Sequence, residues 1–238
     1  MKTMGKFVFH EYKINLHGRD YDILVPSVKI EEMWVLPMEE RTKCDSWDIV
    51  EGNRLAMQWV RNAYITLAQE ANKIIYFPVR QIPPAFDLKL WTVPPDLVLY
   101  NHQVQLKRKN WKKLKHCMKY RKPEQHVVYF NMPELLQKEK IIFREWKKNK
   151  SFYRRKSRER VYHEYDTYFV EGDTKQALGL AAQLQRSLCK DLESLIYQEH
   201  GIEYVGTGVF GKAEYAFTTK EYIDQWKEKL LPGHYILA

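Results

Sequence analysis

The chain has 238 residues, with 39 Lys and Arg against 30 Asp and Glu and a formal net charge of +9. That length buries one large core or two small ones, and the cationic excess points to a polyanionic partner. No stretch reaches transmembrane length, and Met1-Lys2-Thr3-Met4-Gly5-Lys6 leads into Phe7-Val8-Phe9 rather than a signal-peptide core, so an intracellular protein is expected, cytoplasmic or nucleoid-associated.

Residues 1–45 form an N-terminal strand extension. Strand-like runs, among them Asp22 to Pro26 and Met33 to Pro37, alternate with charged turns and read as an edge extension of a core or a docking arm. Leu55, Trp59, Ala63, Leu67 and Ala71 then make an apolar stripe on a helix from about Asn53 to Asn72. Ile74 to Val79 reads as a strand. Between Pro94 and Lys107, apolar residues alternate about a polar Asn101-His102 centre, which predicts a hairpin pairing Tyr100 with Gln103, Val98 with Gln105 and Asp96 with Lys107. In that register Asp96, Gln105 and Lys107 share one face, and a slip of one residue separates them.

Asn110 is placed to cap a helix carrying Trp111, Leu114 and Met118 at helical spacing, with Lys112, Lys113, Lys115, Lys119 and Arg121 around the rest and Pro123 at its end. His126 to Phe130 fits a buried strand. Asn131 and Pro133 start another helix leading into a basic segment with Lys147, Lys148, Arg154, Arg155 and Arg158, interleaved with Trp146, Phe152 and Tyr153. A long helix follows from about Asp173 to Glu199. Glu203 to Phe217 reads as a hairpin turning at Gly211-Lys212, and Thr218 with Glu221 makes a capping box for a last helix. The resulting division is 1–45, a core over 46–150, and a basic, helical C-terminal module with its hairpin over 151–238.

The order helix, strand, hairpin, helix, strand over roughly residues 46 to 131 resembles the PD-(D/E)XK nucleases, the restriction-endonuclease-like superfamily. The resemblance implies an α/β (α+β) fold with a mixed central sheet flanked by helices. Pro95-Asp96 matches the family's Pro-Asp, and Gln105-Leu106-Lys107 matches its acid-x-Lys with Gln in place of the acid. Glu51 is the candidate for the glutamate of the first helix, with Glu70 at the helix's other end competing. The Gln-x-Lys variant occurs in the endonuclease subunit of some multi-subunit transposons; it fits equally a degenerate site.

If intact, such a site is a metal-dependent DNA endonuclease, as in mobile elements or phage DNA processing. Asp96 and Glu51 would hold Mg²⁺ or Mn²⁺, the Gln105 carbonyl would complete the oxygen shell, and Lys107 would assist the attacking water or stabilise the phosphate. The alternative is a non-catalytic DNA- or RNA-binding protein with a degenerate nuclease-like fold. A salt-bridged Asp and Lys on an ordinary hairpin would also account for the residues. The expected partner is nucleic acid, taken as DNA, with no membrane; a homo-oligomer or a larger DNA-processing complex stays open. Cys44, Cys117 and Cys189 are too scattered for a disulfide framework or a Cys zinc site.

Overall fold

The structure, a computed structural model, describes residues 5–30, 33–37, 47–79, 96–148, 160–189, 204–210 and 213–218. The N-terminal run is longer than its Phe7-Val8-Phe9 signal. β1 (Gly5–Leu16) and β2 (Arg19–Pro26) form an antiparallel hairpin. The two residues of its turn, His17 and Gly18, both have positive φ, 55° and 73°. This left-handed pair matches the twist of the flanking strands, and glycine adopts it without steric cost.

The hairpin lies inside a seven-stranded sheet rather than at its edge. β1 also pairs antiparallel with β7 (Glu124–Phe130), and β2 runs parallel to β5 (Lys73–Phe77). β5 pairs antiparallel with β6 (Asp96–Asn101). β6 is parallel to β9 (Thr167–Gly172), which closes a hairpin with β8 (Arg160–Glu164). The order is β7-β1-β2-β5-β6-β9-β8.

Every residue of β5 and β6 is buried, so helices must cover both faces of the sheet. On one face Phe7, Phe9, Leu24, Ile75, Phe77, Leu97, Leu99 and Val170 pack under α1 (Arg54–Gln69) and α4 (Thr174–Cys189). Trp59, Ala63 and Leu67 of the expected stripe are buried there, while Leu55 in the first turn is exposed. On the other face Ile23, Ile74, Tyr76, Val98, Tyr100 and Phe169 pack under α2 (Trp111–Lys119) through Trp111, Leu114 and Met118. The chain is therefore α+β, with a mixed sheet flanked by helices.

α3 (Met132–Lys148) begins after Asn131, whose Oδ1 accepts from the Glu134 N–H at 3.5 Å, and it packs against α4. A second sheet, all antiparallel, has the order β11-β10-β4-β3. It joins β3 (Met33–Pro37) and β4 (Trp47–Asn53) to the late hairpin of β10 (Tyr204–Phe210) and β11 (Ala213–Thr218). That hairpin sets Phe210 opposite Ala213; the expected turn residues Gly211 and Lys212 lie outside the described residues. Thr218 ends β11, while Glu221 of its capping box, the helix expected after it and residues 190–203 lie outside the described residues.

Two expectations are corrected. β7 is an edge strand with Val128 alone fully buried, because among the described residues no strand pairs with its outer side. The second arm of the hairpin expected from 94 to 107 is absent: His102–Val104 and Arg108–Asn110 are single 3-10 turns. β6 already has β5 on one side and β9 on the other, which leaves no edge for a returning strand.

Past the C-terminal end of α1, charges close the core. Lys73 is buried and donates to Glu11 at 2.7 Å and to Asp22 at 3.0 Å. His126 Nε2 lies 3.0 Å from Glu70 Oε1, and Nδ1 lies 3.7 Å from Glu11 Oε2. Burial works to lower the Lys73 pKa, but its two hydrogen bonds and the carboxylate charges raise it above the ordinary 10.5. Breaking such a pair strands buried carboxylates, so Lys73→Met is expected to cost about 3–5 kcal/mol in urea unfolding. The raised pKa sets the sign of the pH dependence: the stabilisation is complete below 10.5 and is lost as pH climbs through the higher folded value. The gap between native and variant should therefore narrow only above that pH; a gap independent of pH contradicts the assignment.

Candidate functional site

Asp96 opens β6 beside Thr167 of β9, and its N–H donates to the Asp166 carbonyl at 3.0 Å. Strand alternation turns its carboxylate to the α2 side of the sheet, along with Val98 and Tyr100. There Oδ2 accepts from the Tyr76 hydroxyl at 2.8 Å and from Lys115 Nζ at 2.5 Å. Lys115 stands one turn after Trp111 on the same helix, so seating the indole in the core also delivers the ammonium to the carboxylate. The ammonium sits 5.7 Å from the centre of the Tyr76 ring. Asp96 is buried and Lys115 partly exposed. Beside them the β8–β9 turn places Tyr165 and Asp166 at φ 55° and 53°, with Lys112 Nζ 5.3 Å from the Tyr165 ring.

Gln105 and Lys107 are elsewhere. At the end of β6 the Asn101 side chain accepts from the Gln103 N–H at 3.0 Å and donates to Thr174 Oγ1 at 3.1 Å, which starts a helical turn instead of a β-turn. Gln105 follows with φ 50°, its N–H donating to the His102 carbonyl at 3.1 Å. The Arg19 guanidinium, next to the β1–β2 turn, donates to the Val104 carbonyl, which fixes the loop at the end of the sheet opposite Asp96. Gln105 and Lys107 are exposed there. The six residues of β6 intervene, roughly 17 Å at strand rise.

Glu51 falls on β4 opposite Trp34 and Gly206, ahead of the helix rather than on it, and its side chain is outside the described atoms. Its competitor Glu70 is engaged with His126. The expected ligands Asp96 and Gln105 thus do not converge on one ion, and among the described residues no group of three or more His, Cys, Asp or Glu side chains is arranged to hold a metal. These residues do not fit the metal site that the resemblance implies.

What the structure does assemble is a cationic face. Trp111, Leu114 and Met118 turn inward, so Lys112, Lys113 and Lys119 of α2 are exposed, as are Arg121 and Lys122 just beyond it. From His102 to Pro123 the sequence holds no Asp or Glu. Arg121 donates to the Lys13 carbonyl at 2.9 Å, which ties the end of this segment to β1. Among the described residues, Lys113, Lys119 and Lys122 have no acidic partner within ion-pair distance. Arg108 is spent internally: it lies 3.4 Å from the centre of the Tyr162 ring and donates to Glu164 at 2.9 Å. Burial, and then the Glu171 charge, push the Tyr100 hydroxyl well above its ordinary pKa against the opposing pull of Arg108.

Lys147 and Lys148 end α3 with their side chains outside the described atoms, and Arg154, Arg155 and Arg158 lie outside the described residues. Sequence reasoning missed Tyr76, the hydroxyl donor to Asp96, and Tyr120, exposed at 76% directly after α2. The signal for Tyr120 was its position one helical turn beyond His116, against whose ring it packs edge-on at 4.9 Å.

Comparison of the chain with models of protein families, with curated proteins and with solved structures returns no match.

The geometry separates the two lysines that compete for Asp96. Asp96→Asn removes the charge partner of Lys115 and is expected to cost about 1–3 kcal/mol in chemical denaturation, because that ammonium keeps some access to water. Lys107→Ala, at an exposed turn, is expected to stay within about 0.5 kcal/mol of the native protein. The reverse ranking contradicts this placement.

Proposed function

We propose that this chain is a nucleic-acid-binding protein whose contact surface is the solvent side of α2 together with the turn that follows it. The observation that carries the proposal is the exposed cationic run from Lys112 to Lys122, acid-free in sequence and anchored by Trp111, Leu114 and Met118. Clustered like charges repel and destabilise an isolated helix. A phosphate backbone relieves that repulsion and releases its own condensed counterions. The helix C-terminus favours cations, which stabilises Lys119 locally but leaves Lys112 and Lys113 in the first turn, where the macrodipole disfavours them.

The finer fold description, a restriction-endonuclease-like core with a C-terminal extension, is compatible with a degenerate site, whereas the metal-dependent endonuclease reading needs Asp96, Gln105 and Lys107 at one point. With those residues at opposite ends of β6, it draws support from Asp96 alone. Asp96 serves instead to orient Lys115 and to fix α2 against the sheet.

Fluorescence anisotropy with labelled DNA, titrated between about 50 and 300 mM salt, tests the proposal. Four or five engaged cations give an expected log–log slope of about −3 to −5. The triple substitution Lys112→Glu, Lys113→Glu, Lys119→Glu should weaken binding and flatten that slope by about 2–3, while Mg²⁺ should not be required and should act as a competing counterion that lowers affinity. A slope near zero, or one the triple variant leaves intact, contradicts the proposal.

A further inference from the structure

Beside α2 the same side of the sheet is open where β1 and β7 run together. Lys6 stands across from Tyr129, Val8 from Val127 and His10 from Gln125. Strand alternation sends these six side chains to the α2 side, because Phe7, Phe9 and Val128 between them point into the other core. All six are exposed or half-exposed, with Tyr129 at 57% and Val127 at 39%. None is acidic: Glu11 and Glu124 turn to the opposite face, where they meet Lys73 and Lys13. The strip begins a few residues after Tyr120, and the Arg121 bond to the β1 backbone holds the cationic helix end against it.

We infer that this open strip of β1 and β7 is a platform for single-stranded nucleic acid, on which Tyr129 and Tyr120 stack unpaired bases while Lys6, Lys119 and Lys122 hold the phosphates. The inference rests on the nucleic-acid-binding reading above and adds to it the class of strand bound. Two ring systems standing out from an acid-free surface suit bases whose faces are free, because stacking tolerates any sequence and needs no groove geometry. In a duplex those faces are already stacked on one another, and a β-sheet face offers them nothing. From Gln125 to Tyr129 the strand advances about 13 Å at strand rise, room for two or three extended nucleotides.

The experiment uses the full chain and fluorescein-labelled oligothymidylate of about 20 nucleotides, beside a duplex of equal length. The single strand is expected to bind more tightly. Tyr129→Ala and Tyr120→Ala should each weaken single-strand binding about fivefold to a hundredfold. Tyr129→Phe should restore it, and duplex affinity should stay within about twofold in all three variants. An oligouridylate arm reports whether the sugar matters. Tighter duplex binding, or single-strand affinity indifferent to both alanine variants, overturns the platform while leaving the binding function standing. Failure to bind either probe at low salt overturns the binding function itself.

Discussion

The seating of Trp111 between Tyr76 and Phe169 governs the rest of the structure. Its fully buried indole meets those rings edge-on, with centroids 5.3 Å and 5.9 Å away, and its N–H finds no acceptor among the described residues. Its worth is therefore packing, with edge-to-face contacts adding about 0.5–1.5 kcal/mol per pair beyond area burial. Once that ring is fixed, the rotation of α2 is fixed. Leu114 and Met118 follow it inward, Lys115 meets Asp96, Lys112 lies by the Tyr165 ring, and Lys113 and Lys119 are exposed. The cationic surface is a consequence of core packing as much as of composition.

A sheet buried on both faces explains why charge appears where it does. The central strands carry no exposed position, so polar side chains gather at strand ends: Asp96 with Tyr76 and Lys115 at the start of β6, and Lys73 with Glu11 and Asp22 at the start of β5. Each cluster satisfies its buried carboxylate with a lysine. Glu11 and Glu124 lie on the α1 side, and on the α2 side Glu164 and Glu171 are engaged by Arg108 and Tyr100. The α2 side is left basic and, over β1 and β7, aromatic.

Much of this was legible in the residues. The α1 stripe, the Trp111, Leu114 and Met118 triad, β3 and the hairpin of β10 and β11 announce themselves through periodicity and turn chemistry. The expected hairpin from 94 to 107 failed for a reason that local pattern cannot show. Alternation says that β6 is a strand, but its second partner, β9, lies some seventy residues downstream, and a strand has only two edges. Asn101 then reads equally as a turn residue or a cap, and its bond to Thr174 decides for the cap. β7 looked buried because Val127 and Tyr129 are apolar, yet strand composition does not distinguish an edge from a centre. Tyr165 and Asp166, left-handed without any glycine, gave no turn signal.

Ultraviolet cross-linking of the full chain to bound single-stranded nucleic acid, followed by peptide mapping, locates the contact surface on the chain. Adducts are expected on the segment from Lys112 to Tyr129, with Tyr120 and Tyr129 as the principal positions. Adducts that map wholly outside that segment, or that form equally well after the α2 lysines are reversed in charge, would contradict this placement.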